Sequence, residues 1–220
     1  MKGNDDIGPP ILPNRTLRSR LRELATPKRA LLAALVVATA SLATLLVTPR
    51  GDMDVVSPIR LFAGVMVLGV VGLAVALIVL QPLHRRPLPS SVAGAVAIAA
   101  LLAPTVFALL PEAHHERLLH PESFADEGDQ FWGRAGGCLV FGTLLALPFM
   151  ATIVLLDRRD RLGRRRALQV ALAGGATGNV ALLLHCPLVS REHIFAGHAT
   201  VPVFLALLLC TLVWYRHRRA

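Results

Sequence analysis

Cysteine and histidine are the residue types in this chain best able to do chemistry: there are three of the first and eight of the second. Thiolate sulfur and imidazole nitrogen are the ligands that zinc and softer transition metals take, and two thiols in an oxidising compartment can instead join as a disulfide. Spacing selects neither chemistry. No two of these residues fall in a Cys-x-x-Cys or His-Glu-x-x-His pattern, and His185 and Cys186, being adjacent, cannot share a helix face. Three readings stay open. They are a metal site drawing on His185, Cys186 and His198, a sensor or redox pair of Cys138 and Cys186, and ordinary interfacial histidines with small buried thiols. Other catalytic groupings are missing. Ser41 and Thr39 are lone hydroxyls with no nearby base, and Ala173-Gly174-Gly175 lacks the lysine of a phosphate-cradling loop. The chain reads as non-enzymatic. No cofactor is expected, a transition metal at the cysteines and histidines being the one alternative.

Elements long enough to cross a membrane must position these residues. With 54% apolar residues in 220, water cannot be the main solvent. Six apolar runs free of Asp, Glu, Lys and Arg cover residues 30–47, 61–80, 92–110, 136–156, 167–184 and 197–215. Each is close to the length a helix needs to cross the hydrocarbon core, and a β-barrel would show shorter alternating segments. The expected fold is all-α, with a membrane domain of six transmembrane helices over residues 30–215. The first run is longer than a signal-peptide core and follows a basic leader, so it is read as an uncleaved helix.

Charge fixes the expected orientation, because Lys and Arg in short loops stay on the cytoplasmic side. With the N-terminus inside, the inner segments hold 18 of the 23 basic residues and 5 of the 14 acidic ones, a net +13; the outer loops hold 5 basic and 9 acidic, a net −4. Both termini are then cytoplasmic in a bacterial inner membrane, the C-terminal end being residues 216–220. The overall charge of +9 is thereby assigned to membrane lipid and topology, with no direct nucleic-acid partner expected. Six of the eight histidines, His114, His115, His120, His185, His193 and His198, fall on the outer side, and Cys138 and Cys186 join them at the ends of two spans. Cys210 lies about 20 Å deeper along its helix and is not expected to share their site.

Residues 1–29 form a basic cytoplasmic tail with one short amphipathic stretch. Leu17, Leu21 and Leu24 fall on one face of a helix with Arg18, Arg20 and Arg22 around them, Thr16 as N-cap, and Pro27 ending the pattern. The stripe suits docking into a groove on a cytoplasmic protein, and equally a helix lying on anionic lipid. Prolines at 104, 148 and 202 raise the alternative of a small permease or metal-handling carrier with broken helices, but no ionisable group sits mid-membrane. Asn179 is the strongest polar group there. Beside Gly174 and Gly178 it points to close helix packing with a hydrogen bond to a neighbouring helix.

One resemblance lies in the C-terminal half: Gly137-Cys138 opening a span, Leu147-Pro148 ten residues on, an arginine-rich inner loop, and Leu184-His185-Cys186-Pro187 closing the next span. In these motifs, over roughly residues 136–215, the chain resembles the multi-spanning membrane anti-sigma factors of the NrsF type. Its layout is most similar to the members that regulate light-induced carotenoid synthesis. The resemblance implies a repressor of transcription that holds an extracytoplasmic-function sigma factor at the membrane until a stress signal, light or oxidative, releases it. It would make the N-terminal tail the sigma-docking segment. The zinc pattern His-x-x-x-Cys-x-x-Cys of soluble-domain anti-sigma factors does not occur in this tail.

Overall fold

The computed structural model describes residues 16–51, 57–81, 89–108, 131–157, 159, 162–187 and 191–219. Residues 1–15 of the tail, His114, His115 and His120, and the side chain of Arg18 lie outside the described residues.

Among the described residues, every regular element is helical. In order they are α1 (Leu17–Glu23), α2 (Thr26–Val47), α3 (Pro58–Val79), α4 (Ser90–Ala108), α5 (Phe131–Leu156), α6 (Arg164–His185), the single turn α7 (Arg191–His193), a π-helical turn (Ile194–His198) and α8 (Thr200–Arg219). Five segments are long and apolar enough to cross a membrane: α2, α3, α5, α6 and the unit formed by the π turn with α8. At 22 to 26 residues they are about 33 to 39 Å long, enough for a hydrocarbon core of about 30 Å. The third predicted run is also a helix, but the apolar stretch described in α4, Ser90–Val106, is shorter than the other five.

Local chemistry accounts for the boundaries. The Thr16 hydroxyl accepts from the Ser19 amide at 3.4 Å, capping α1. Pro27 does not separate α1 from the membrane segment by a long break; it occupies the first turn of α2, where its missing N–H is not needed. α2 therefore begins before the apolar run, and Lys28 and Arg29 belong to it. Pro104 and Pro148 lie inside continuous helices, so neither breaks its segment.

α6 is the axis of the bundle. It contacts α2, α3, α4, α5 and α8, and its residues are buried almost without interruption from Val170 to Leu182. Small side chains let the neighbours approach. A Cβ on Gly175 would strike Pro202 of α8, and one on Gly178 would strike the Gly142 carbonyl oxygen of α5. The surrounding helices turn large apolar residues outward, among them Leu35 and Leu46 on α2, Phe62 and Val70 on α3, Leu144 on α5 and Leu207 on α8. A bundle with a small-residue axis and an apolar exterior is built for lipid, where close backbone approach replaces the hydrophobic effect as the source of cohesion. Aromatics mark its ends: Trp132 is exposed at the start of α5, while Trp214 and Tyr215 near the end of α8 lie under the guanidinium groups of Arg218 and Arg219 at 4.0 and 4.2 Å.

The two ends of the bundle differ in chemistry. At the arginine end, buried Arg29 donates to the Leu156 carbonyl at 3.2 Å and to the Thr26 hydroxyl at 3.1 Å, while Arg166 pairs with Asp157 at 2.5 Å. Leu156 closes α5, so Arg29 places a cation on a carbonyl that has no partner within that helix. At the opposite end, the Arg50 amide donates to the Leu184 carbonyl at 3.1 Å, joining the end of α2 to the end of α6.

Candidate functional site

The cysteine end gathers four buried donor groups from three segments. Cys138 comes from the second turn of α5, Cys186 caps the end of α6, and His193 precedes and His198 closes the π turn that leads into α8. The two sulfurs lie 3.4 Å apart and unbonded to each other. His193 Nε2 is 3.3 Å from Cys138 Sγ and 3.4 Å from Cys186 Sγ, and the His198 ring lies 5.6 Å from the His193 ring, centroid to centroid. One donor atom from each of the four residues lies within 4.8 Å of every other.

The π turn makes this possible. Residues five apart on an α-helix with 3.6 residues per turn are rotated by about 140°, so His193 and His198 would face different sides. The wider turn, with the Ala199 amide bonded to the Ile194 carbonyl at 2.8 Å, brings them to one face. Gly197 lets this turn lie against α5, because a Cβ there would come within 3.2 Å of the Ala135 carbonyl oxygen and of Cys138 Cβ. Asn179 holds the turn from α6: its Nδ2 donates to the His198 carbonyl at 3.1 Å and to the Gly175 carbonyl at 2.9 Å. The helix packing and the inter-helix hydrogen bond expected of Gly174, Gly178 and Asn179 are thus both present, and they serve the cluster.

His185, expected among the metal ligands with Cys186 and His198, is not part of the group. Its ring stacks on Phe141, centroids 4.2 Å apart, and its Nδ1 lies 3.0 Å from the Thr48 carbonyl. A carbonyl only accepts, so Nδ1 carries the proton and donates. The reason is the adjacency already noted, since the chain turns out of the helix at Cys186 and sends the two side chains to different places. In its stead stand His193 and Cys138. The two cysteines expected as a pair do meet. Cys210 lies at the other end, its sulfur 3.9 Å from the Arg164 carbonyl.

The leucine stripe of α1 is divided by the fold. Leu17 is 73% exposed, whereas Leu21 packs against the core; Leu24 is half-buried. Arg20 is exposed, and Arg22, half-buried, donates to the Arg159 carbonyl at 2.9 Å. The helix is therefore moored to the arginine end while Leu17 and Arg20 stay exposed. No family model, curated protein or solved structure matches the chain.

Proposed function

We propose that the chain is a membrane anti-sigma factor of a bacterial inner membrane, crossing it six times with both termini in the cytoplasm. In this reading α1 and the basic tail hold an extracytoplasmic-function sigma factor, and the cysteine and histidine centre at the outer end senses the stress that releases it. The proposal rests on the resemblance in the C-terminal half and on one observation in the fold: α5 carries Cys138 near its start and ends at Leu156, whose carbonyl holds Arg29 three residues into α2, beside α1. One rigid helix therefore touches both the candidate sensor and the base of the candidate docking helix. In this reading a chemical change at the thiols shifts α5 and so alters the mooring of α1 at the other end, the relay a switch needs.

The partner is tested by a two-hybrid assay pairing the full chain with each extracytoplasmic-function sigma factor of the same genome. One of them is expected to interact, with the signal lost in Leu17→Asp, and deletion of the chain is expected to turn that factor's genes on. Interaction with none, or genes that fall silent on deletion, sinks the reading. A metal-handling carrier is the second reading, favoured by the same four donors. It predicts accumulation of the metal in vesicles carrying the protein, dependent on His198. Four buried donors converging on one point describe a holding site, and the apolar runs, free of Asp, Glu, Lys and Arg, give a passing ion no charged stations beyond it.

A further inference from the structure

We infer that Cys138, Cys186, His193 and His198 form a closed, four-coordinate site for a divalent borderline-soft metal ion of the zinc type. Four observations support it. Donor type comes first: two thiols and two imidazoles are a complete ligand set for zinc, with no carboxylate or water needed. Geometry comes second. A tetrahedral ion with bonds of about 2.3 Å to sulfur and about 2.0 to 2.1 Å to nitrogen sets its ligands about 3.8 Å apart for two sulfurs and about 3.6 Å for sulfur and nitrogen. The observed 3.4 Å between sulfurs and 3.3 and 3.4 Å from His193 Nε2 to each sulfur are within a few tenths of these values, and no pair exceeds 4.8 Å.

Third is an unanswered polar atom. His198 is 4% exposed, and its Nε2 has no hydrogen-bond partner. A buried ring nitrogen left this way costs roughly 1 to 3 kcal/mol, a penalty that a metal bond removes. Fourth is charge. On binding, the two thiols release their protons to solvent and the imidazoles stay neutral, so a divalent ion and two thiolates sum to zero. A neutral site is what burial beside lipid allows, whereas an ion held by uncharged ligands alone would face the full cost of an unpaired charge in a poorly polarisable medium. A monovalent ion would leave one negative charge over.

Outer ligation is supplied as well. Asn179 Nδ2 donates to the His198 carbonyl and so holds the backbone that carries that ring, a positioning role. With all four positions taken by protein, no site remains for a substrate or water, which marks the centre as structural or sensory. It ties α5, the end of α6 and the π turn of the last span into one knot.

The test uses the full chain in detergent, purified under reductant, stripped with a chelator and titrated anaerobically with cobalt(II), then zinc(II). One cobalt per chain is expected, with a thiolate-to-cobalt charge-transfer band and the strong visible bands of four-coordinate cobalt, both abolished by zinc. Cys138→Ser and His198→Ala are each expected to weaken binding by roughly 100-fold or more, and Asn179→Ala by about 10- to 100-fold. His185→Ala retains the bands. The wild-type titration decides even where a variant does not fold: absence of the charge-transfer band overturns the site. So do bands that persist in both ligand variants, and so does a Cys138–Cys186 disulfide in protein alkylated directly in isolated membranes. The outcome is separable from the anti-sigma reading, because metal is measured with no partner present. Loss of sigma binding leaves the cobalt spectrum untouched, and loss of the spectrum leaves the two-hybrid signal to stand or fall alone.

Discussion

His193 and His198 face each other across five residues because the backbone between them is wound as a π turn and not as an α-helix. That single irregularity aims two imidazoles at two thiols contributed by other segments. The grip of Asn179 on the His198 carbonyl is what keeps the turn in register with α6.

Asn179→Leu should accordingly loosen the centre more than it weakens the fold. A hydrogen bond between membrane helices is worth on average about 0.6 kcal/mol and at most about 1.7, so the thermal midpoint in detergent should fall only modestly. Maleimide labelling of Cys138 and Cys186, both buried in the parent, should rise several-fold. Equal labelling rates in parent and variant would show that the turn is held by other contacts.

The axis of the bundle makes a second expectation. Gly178→Ala drives a methyl into the Gly142 backbone and should cost about 1 to 3 kcal/mol. Gly94→Ala, with nothing within 4 Å of the new atom, should be neutral or stabilising by about 0.5 to 1 kcal/mol through reduced backbone freedom. Unfolding of the two variants in parallel, by heat or denaturing detergent, checks the difference. Similar midpoints for both would contradict the close approach of α5 and α6.

At the other end, Arg29→Met removes donors from the Leu156 carbonyl and the Thr26 hydroxyl. Hydrogen bonds from a charged group contribute roughly 1.5 to 3 kcal/mol, and a loss of that size is expected. Arg29→Lys should fall between parent and Met, because a single ammonium lacks the fork that reaches both acceptors. A lysine variant as unstable as the methionine one would mean that charge contributes nothing there.

Orientation is open to a direct check. Alkaline phosphatase, active only outside the cytoplasm, should be active when fused after His120 and inactive after Ala220. The reverse pattern would invert the proposed topology and put the four-donor centre on the cytoplasmic side.

Much of the architecture is legible in the sequence, because long apolar runs have one physical solution in lipid. The helices over 61–80, 136–156 and 167–184 appear within a few residues of their predicted bounds. Ends strayed where charge and burial compete: Lys28 and Arg29 interrupt hydropathy, yet α2 begins at Thr26 because the helix simply continues past the lipid boundary. The centre was half legible. Cys138 and Cys186 fall at the same level of the bundle by counting along spans, and they do meet. His193 falls in the outer layer by sequence but not in the expected ligand set, since a spacing of five from His198 carries no meaning on a helix of 3.6 residues per turn. His185 was over-read for the opposite reason: its neighbour in sequence, Cys186, belongs to the site, while its own ring is claimed by Phe141 and the Thr48 carbonyl. The divided leucine stripe of α1 could not be foreseen from periodicity, which finds a face but not what that face meets.

The crowding of α6 sets an uneven allowance for change along the chain. Helices such as α2, whose outward leucines are exposed on the surface of the bundle, can exchange one large apolar residue for another at little cost. On α6, Gly175 meets Pro202 and Gly178 meets the Gly142 backbone, and at these two positions even a methyl group does not fit. Descendants of this sequence would therefore drift fastest on the outer helices and slowest along the axis. Kinship with distant relatives should be sought in the rhythm of small residues between Ala171 and Gly178 rather than in overall identity.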